Sequence, residues 1–119
     1  MNSAKQVAGE TKSPVMVPME LIEVCRHRLD AIRLCIQLSN LSNEAICGRL
    51  GLDPGHFTRM MHGRANFPDA KSVELMWVCG NYAPLQWEAM ACGFDLSPRA
   101  NDARVRALEA EILRLKGAA

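Results

Sequence analysis

What is scarce in this chain narrows its class before any motif is read. Aromatic residues make up 5% of the 119 positions: two tryptophans, one tyrosine and three phenylalanines. Trp77, Trp87, Phe57 and Phe67 all lie in helical patterns, so they are assigned to core packing rather than to base stacking. No segment approaches the ~20 apolar residues that span a bilayer. The N-terminus also lacks the continuous apolar core of a secretory signal, so a cytoplasmic protein without a membrane partner is expected. Strand-like alternation is absent, which makes the expected class all-α. Paired carboxylates, a nucleophile–base arrangement and a glycine-rich phosphate loop are all missing, so neither an enzyme nor a cofactor is expected. The five cysteines, Cys25, Cys35, Cys47, Cys79 and Cys92, are odd in number and include no C-x-x-C pair. They read as reduced, mostly buried thiols. Cys47, His56 and His62 fit no common ligand spacing, so no metal is expected. Net charge is only +1, which excludes a polybasic protein and leaves any nucleic-acid contact to a local basic face.

What is present is a series of helix signals in one compact domain with appendages. Residues 1–17 are small, polar and without period, and are expected to form a flexible tail. A helix is expected from Pro18 to Ser39, with Leu21, Cys25, Leu29, Ile32, Ile36 and Ser39 as its buried stripe. Arg26, Arg28, Asp30 and Arg33 fall on its other faces, where a solvated charged surface is expected. Ser42 then caps a helix reaching Leu50, and Gly51 ends it by taking the left-handed conformation of a tight turn. Asp53 caps the next helix, with Pro54 at its first position, where a missing N–H costs nothing. Ile46, Leu50, Leu52, Phe57 and Met60 are spaced to close a small core between these two helices. A further helix is expected from Ala70 to Cys79, with Val73, Met76 and Trp77 inward. Another opens at Pro84 and ends near Cys92–Gly93, burying Leu85, Trp87, Met90 and Ala91.

The stretch from Leu41 to Arg64 resembles the helix–turn–helix of the phage repressor family, whose members commonly read L-S-Q-E-E-L-A-x-x-L-G-V-S-x-x-x-I-S-R-x-x-N-G. Leu41, Ser42, Glu44, Leu50, Gly51, Arg59 and Gly63 match outright, and Asn43, Ile46, Cys47, Leu52, Asp53, Phe57, Thr58 and His62 match in kind. The text that follows, FPDAKSVELMWVCGNYAPLQWEAMACGFDL, is similar to small prophage regulators akin to the CII-type activators of lambdoid phages. This resemblance implies a five-helix helix–turn–helix DNA-binding domain over residues 18–96. Family members carry larger polar residues where this chain has Pro54 and Gly55.

The last segment, 97–119, is expected to be an oligomerisation helix that Gly117 ends. Val105, Leu108, Ile112 and Leu115 alternate at threes and fours, the a/d seam of a coiled coil. Valine and isoleucine at a with leucine at d favour two parallel strands. Arg104 and Glu111 then fall at g, facing the partner's Glu109 and the partner's Lys116 at e. The seam is short, so a tetramer remains open beside a dimer; in CII-type activators the C-terminal helix assembles tetramers.

A recognition helix alone contacts few base pairs, and pairing two of them about 34 Å apart supplies the missing affinity and specificity. The expected function is therefore a sequence-specific transcriptional regulator of phage or prophage type, binding double-stranded DNA as a homo-oligomer. The expected DNA-contacting residues are Asn43, Pro54, Gly55, His56, Thr58, Arg59, His62 and Arg64. Arg59 leads them, because its fork spans guanine O6 and N7. Arg64 and Lys71 suit phosphate. A two-fold dimer implies a palindromic operator, whereas the CII-like resemblance implies direct repeats. The modest charge and the Pro54–Gly55 departure keep a second class open: a protein-interaction adaptor, an antirepressor or inhibitor of a bacterial protein, built on the same scaffold.

Overall fold

A computed structural model describes residues 13–97 and 103–118, with the side chains of 103–106 and 118 left aside. Among the described residues the chain is helical throughout, in the order α1 (Met19–Glu23), α2 (Arg28–Ser39), α3 (Asn43–Leu50), α4 (Pro54–Met61), α5 (Ser72–Cys79), α6 (Ala83–Ala91) and α7 (Ala103–Ala118). A 3₁₀ turn, Asp69–Lys71, precedes α5. None of these helices is long and apolar enough to cross a membrane.

One core joins the elements from Val17 to Ala83. Ile22, Ile32, Cys35, Ile46, Leu50, Phe57, Met60 and Leu75 are all buried in it. α2 packs on both α5 and α6, α3 on α4 and α5, and α1 on α6. At roughly 25 cal/mol per Å² of apolar surface removed from water, this shared burial is the main favourable term of the fold.

The structure corrects the single helix expected over 18–39. The chain breaks between Glu23 and Arg28, so six α-helices rather than five precede the C-terminal one. At the break, side chains satisfy backbone groups that a continuous helix would pair internally. The Asp30 carboxylate accepts the amides of Arg26 (2.9 Å) and His27 (3.1 Å). The Trp87 indole N–H donates to the Cys25 carbonyl at 3.0 Å. The buried stripe shifts accordingly: Ile22, Ala31 and Cys35 are inside, while Leu21 is exposed and Leu29 and Ile36 are half-buried.

The expected tail also ends too late. Residues 1–12 lie outside the described residues, but 13–17 do not behave as a free segment. Val15 forms a parallel bridge to Asn81. Its amide donates to the Gly80 carbonyl and its carbonyl accepts from Tyr82, both at 3.0 Å. Val17 is buried, and the side-chain amide of Gln86 holds its N–H and C=O at 2.8 Å each. Gln86 thus acts as one rung of a missing strand, which explains a glutamine only 2% exposed in an apolar core.

In α5 and α6 the expected faces are partly wrong. Leu75, Met76 and Cys79 point inward, while Val73 and Trp77 are exposed. In α6, Ala83, Pro84 and Gln86 are buried and Leu85 and Ala91 are not. The cysteines are all free; four are buried, and Cys92 is exposed. A hydrogen bond with Cys79 and burial push the Cys35 thiol up, so it stays protonated and inert.

Candidate nucleic-acid interface

The segment from Ser42 to Arg64 is organised by local chemistry at four helix ends. The Ser42 hydroxyl accepts the Ala45 amide at 3.1 Å and opens α3. Gly51, with φ of 68°, closes it, and the Leu52 amide reaches back to the Cys47 carbonyl at 3.0 Å. A β-carbon is disfavoured in that left-handed conformation, so glycine fits the turn. Asp53 opens α4 by accepting the His56 amide at 3.0 Å, with Pro54 in the first turn. At the far end Gly63, with φ of 77°, lets the Arg64 amide bond the Arg59 carbonyl at 2.8 Å. The first helix therefore starts and stops, and the second starts, where the sequence places them.

α4 has two unlike faces. Phe57 and Met60 are buried against the core, with Leu52 and Met61 packed beside them. Pro54, Gly55, Thr58, Arg59 and His62 are exposed, and His56 is half-buried. Asn43 at the start of α3 and Arg64 beyond α4 are exposed as well. Met61's carbonyl, near the end of α4, accepts the Arg33 guanidinium, whose Nε lies at 2.8 Å. Arg28 bonds the Phe67 carbonyl at 3.1 Å and the Asp69 carboxylate at 2.9 Å. These two arginines of α2, expected on a merely solvated face, staple α4 and its following loop to the domain. Lys71, expected to meet phosphate, is 3.5 Å from Glu74.

Three polar side chains of α4 are already engaged. The Thr58 hydroxyl donates to the Pro54 carbonyl at 3.0 Å, so the group it turns outward is not a free hydroxyl donor. An Arg59 terminal nitrogen lies 2.9 Å from His56 Nδ1. The spacing of three residues makes that contact readable from the sequence; the chain positions of Arg28 and Arg33 give no comparable signal. Gly55 also gains a reason here. A β-carbon at that position would stand 3.3 Å from the Asp53 carboxylate oxygen that caps the helix. Glycine leaves the cap undisturbed.

Of the expected seam, Val105's side chain lies outside the described residues. Leu108, Ile112 and Leu115 are 58%, 51% and 55% exposed along α7. Every described side chain from 107 to 117 is exposed, so the stripe is not folded onto the domain. Glu111, expected to face the partner's Lys116, is paired with Arg114 of its own helix. Gly117 does not end the helix, which runs to Ala118.

Among the described residues no group of three His, Cys, Asp or Glu side chains is placed to hold a metal. Comparison with protein-family models, with curated proteins and with solved structures finds no match.

Proposed function

We propose that this protein is a sequence-specific DNA-binding transcriptional regulator of phage or prophage type, with α3 and α4 as its helix–turn–helix and α4 as the recognition helix. The observation that carries the reading is the division of α4 into a buried apolar face and an exposed face bearing His56, Thr58, Arg59 and His62. A recognition helix must be held rigidly by its own domain while its polar side enters the major groove. Capping at both ends, the Arg33 staple and the Phe57–Met60 anchor supply that rigidity. Arg59 reads a base, while Arg64 and Asn43 contact phosphates.

The bare stripe of α7 supports self-association through Leu108, Ile112 and Leu115, with Val105 extending the seam. A parallel dimer is the simplest assembly, and a tetramer shares the same surface. Such a protein acts in the cytoplasm on duplex DNA and performs no catalysis. The test is selection of bound duplexes from a random pool, repeated across a salt series. Two enriched, spaced half-sites with a steep salt slope are expected, because phosphate contacts release counterions.

The net charge of +1 favours one other reading, a protein-interaction adaptor, antirepressor or inhibitor. The exposed Val73 and Trp77 on α5 agree with it. No enrichment, with only weak and salt-insensitive binding, would overturn the regulator reading and favour that alternative.

A further inference from the structure

The 2.9 Å contact between Arg59 and His56 Nδ1 fixes more than a distance. A guanidinium only donates, so Nδ1 is the acceptor and the ring proton sits on Nε2. His56 lies one turn toward the N-terminus of α4, so the bond draws the Arg59 head toward the end of a recognition helix that meets base edges. The remaining N–H groups of the fork stay available to a ligand. We infer that His56 is a positioning residue that holds Arg59 for a guanine edge in the major groove. This inference rests on the proposed DNA-binding reading.

The chemistry of the neighbouring groups agrees with guanine as the base. Around Arg59 the exposed face offers donors: the rest of the fork and the Nε2–H of His56. One Asp53 oxygen accepts the His56 amide, and the Thr58 hydroxyl, its proton given to Pro54, turns only lone pairs outward. Guanine presents two acceptors, N7 and O6, whereas adenine pairs its N7 with an amino donor that the second arm of the Arg59 fork would repel. A freely rotating arginine loses side-chain entropy when it is fixed in one geometry on binding. Preorienting it through His56 reduces that loss and so sharpens discrimination without adding a phosphate contact.

The experiment uses the full chain on the duplex obtained by selection and on the same duplex with adenine pairs replacing its guanine pairs. His56→Ala is expected to lower guanine-over-adenine discrimination by about tenfold, the size of a well-placed bidentate contact partly lost. The readout is the ratio of the two affinities, which a loss of sequence-independent contact alone leaves in place. His56→Asn keeps an acceptor where Nδ1 stood and should restore most of the discrimination. Arg59→Ala should abolish it, with the His56→Ala, Arg59→Ala double variant no worse than Arg59→Ala alone. Retained discrimination in His56→Ala, or His56→Asn behaving like His56→Ala, overturns the positioning role. Wild-type protein that shows no salt-dependent duplex binding removes the DNA reading and this inference together. Wild-type binding with an indifferent His56→Ala removes this inference alone.

Discussion

α2 and α7 are helices of twelve and sixteen residues, each with an apolar stripe, and they meet opposite fates. α2 buries Ala31, Ile32 and Cys35 completely beneath α5 and α6. α7 leaves Leu108, Ile112 and Leu115 more than half exposed. Periodicity, then, tells a chain which side of a helix will be covered but not what covers it. For α2 the cover is within the chain. An isolated helix of α7's length is marginal in water, and its stability usually comes from packing of an apolar face. The stripe of α7 is therefore the apolar face that the described residues leave uncovered, and the proposed second copy fits its a/d spacing.

The largest expected effect tests that contrast directly. Leu108→Asp places a charge in the centre of the seam and should convert the assembly to monomer, read as a fall in sedimentation mass. The domain's unfolding free energy should stay within about 0.5 kcal/mol, since surface changes away from packed contacts rarely cost more. An unchanged mass would mean that α7 is not the association surface.

Phe57→Ala is the converse. It removes a ring that is 1% exposed at the junction of α3 and α4, and should cost about 3–5 kcal/mol in chemical denaturation. Specific DNA binding should fail with it, because α4 loses its anchor. A cost below about 1 kcal/mol would show that the domain and α7 differ less in packing than their exposures imply.

Gln86→Ala should cost less, about 1–3 kcal/mol. It strips two hydrogen bonds from Val17, and the segment from Val15 to Val17 can escape a buried, unpaired backbone by peeling into water. Faster hydrogen exchange at the Val17 amide, with α2 and α5 still protected, is the expected signature. Uniform loss of protection would make the segment part of the cooperative core instead.

The parts of this architecture legible in the sequence are those set within a few residues. Ser42, Gly51 and Asp53 each fix a helix end through a neighbour on the same turn, and the structure has all three where they were expected. The break after α1 was hidden because apolar residues continue at helical spacing through it, while its cause lies in Asp30 and in the distant Trp87. The sequence of α5, SVELMWVC, is apolar on nearly every side, so no period selects Leu75 over Val73. Gln86 was invisible for another reason: its partner, Val17, is far away in the chain and offers only backbone. At the candidate interface the exposed residues of α4 followed from their spacing. The spacing of Arg59 and His56 also allows their contact, whereas the commitment of the Thr58 proton and the staples from Arg28 and Arg33 required coordinates.

The smallest effect sharpens the contrast by pH. The Arg26 amide, with that of His27 and the charges of His27 and Arg33, holds the Asp30 carboxyl below its ordinary value of 3.8, against a partial opposing push from burial. A lowered folded-state value means that the carboxylate stabilises the folded chain above the unfolded value. That contribution is lost as pH falls through the folded value. Unfolding free energy should therefore decline as pH drops below about 4, by a few tenths of a kcal/mol for an exposed group. Asp30→Asn should flatten this part of the profile, because it removes the titrating group at the start of α2. The same decline should survive in Leu108→Asp, since the bond belongs to the domain and not to α7. If the slope vanished with the seam variant instead, the acid sensitivity would belong to the assembly, and the separation of the two regions would be wrong.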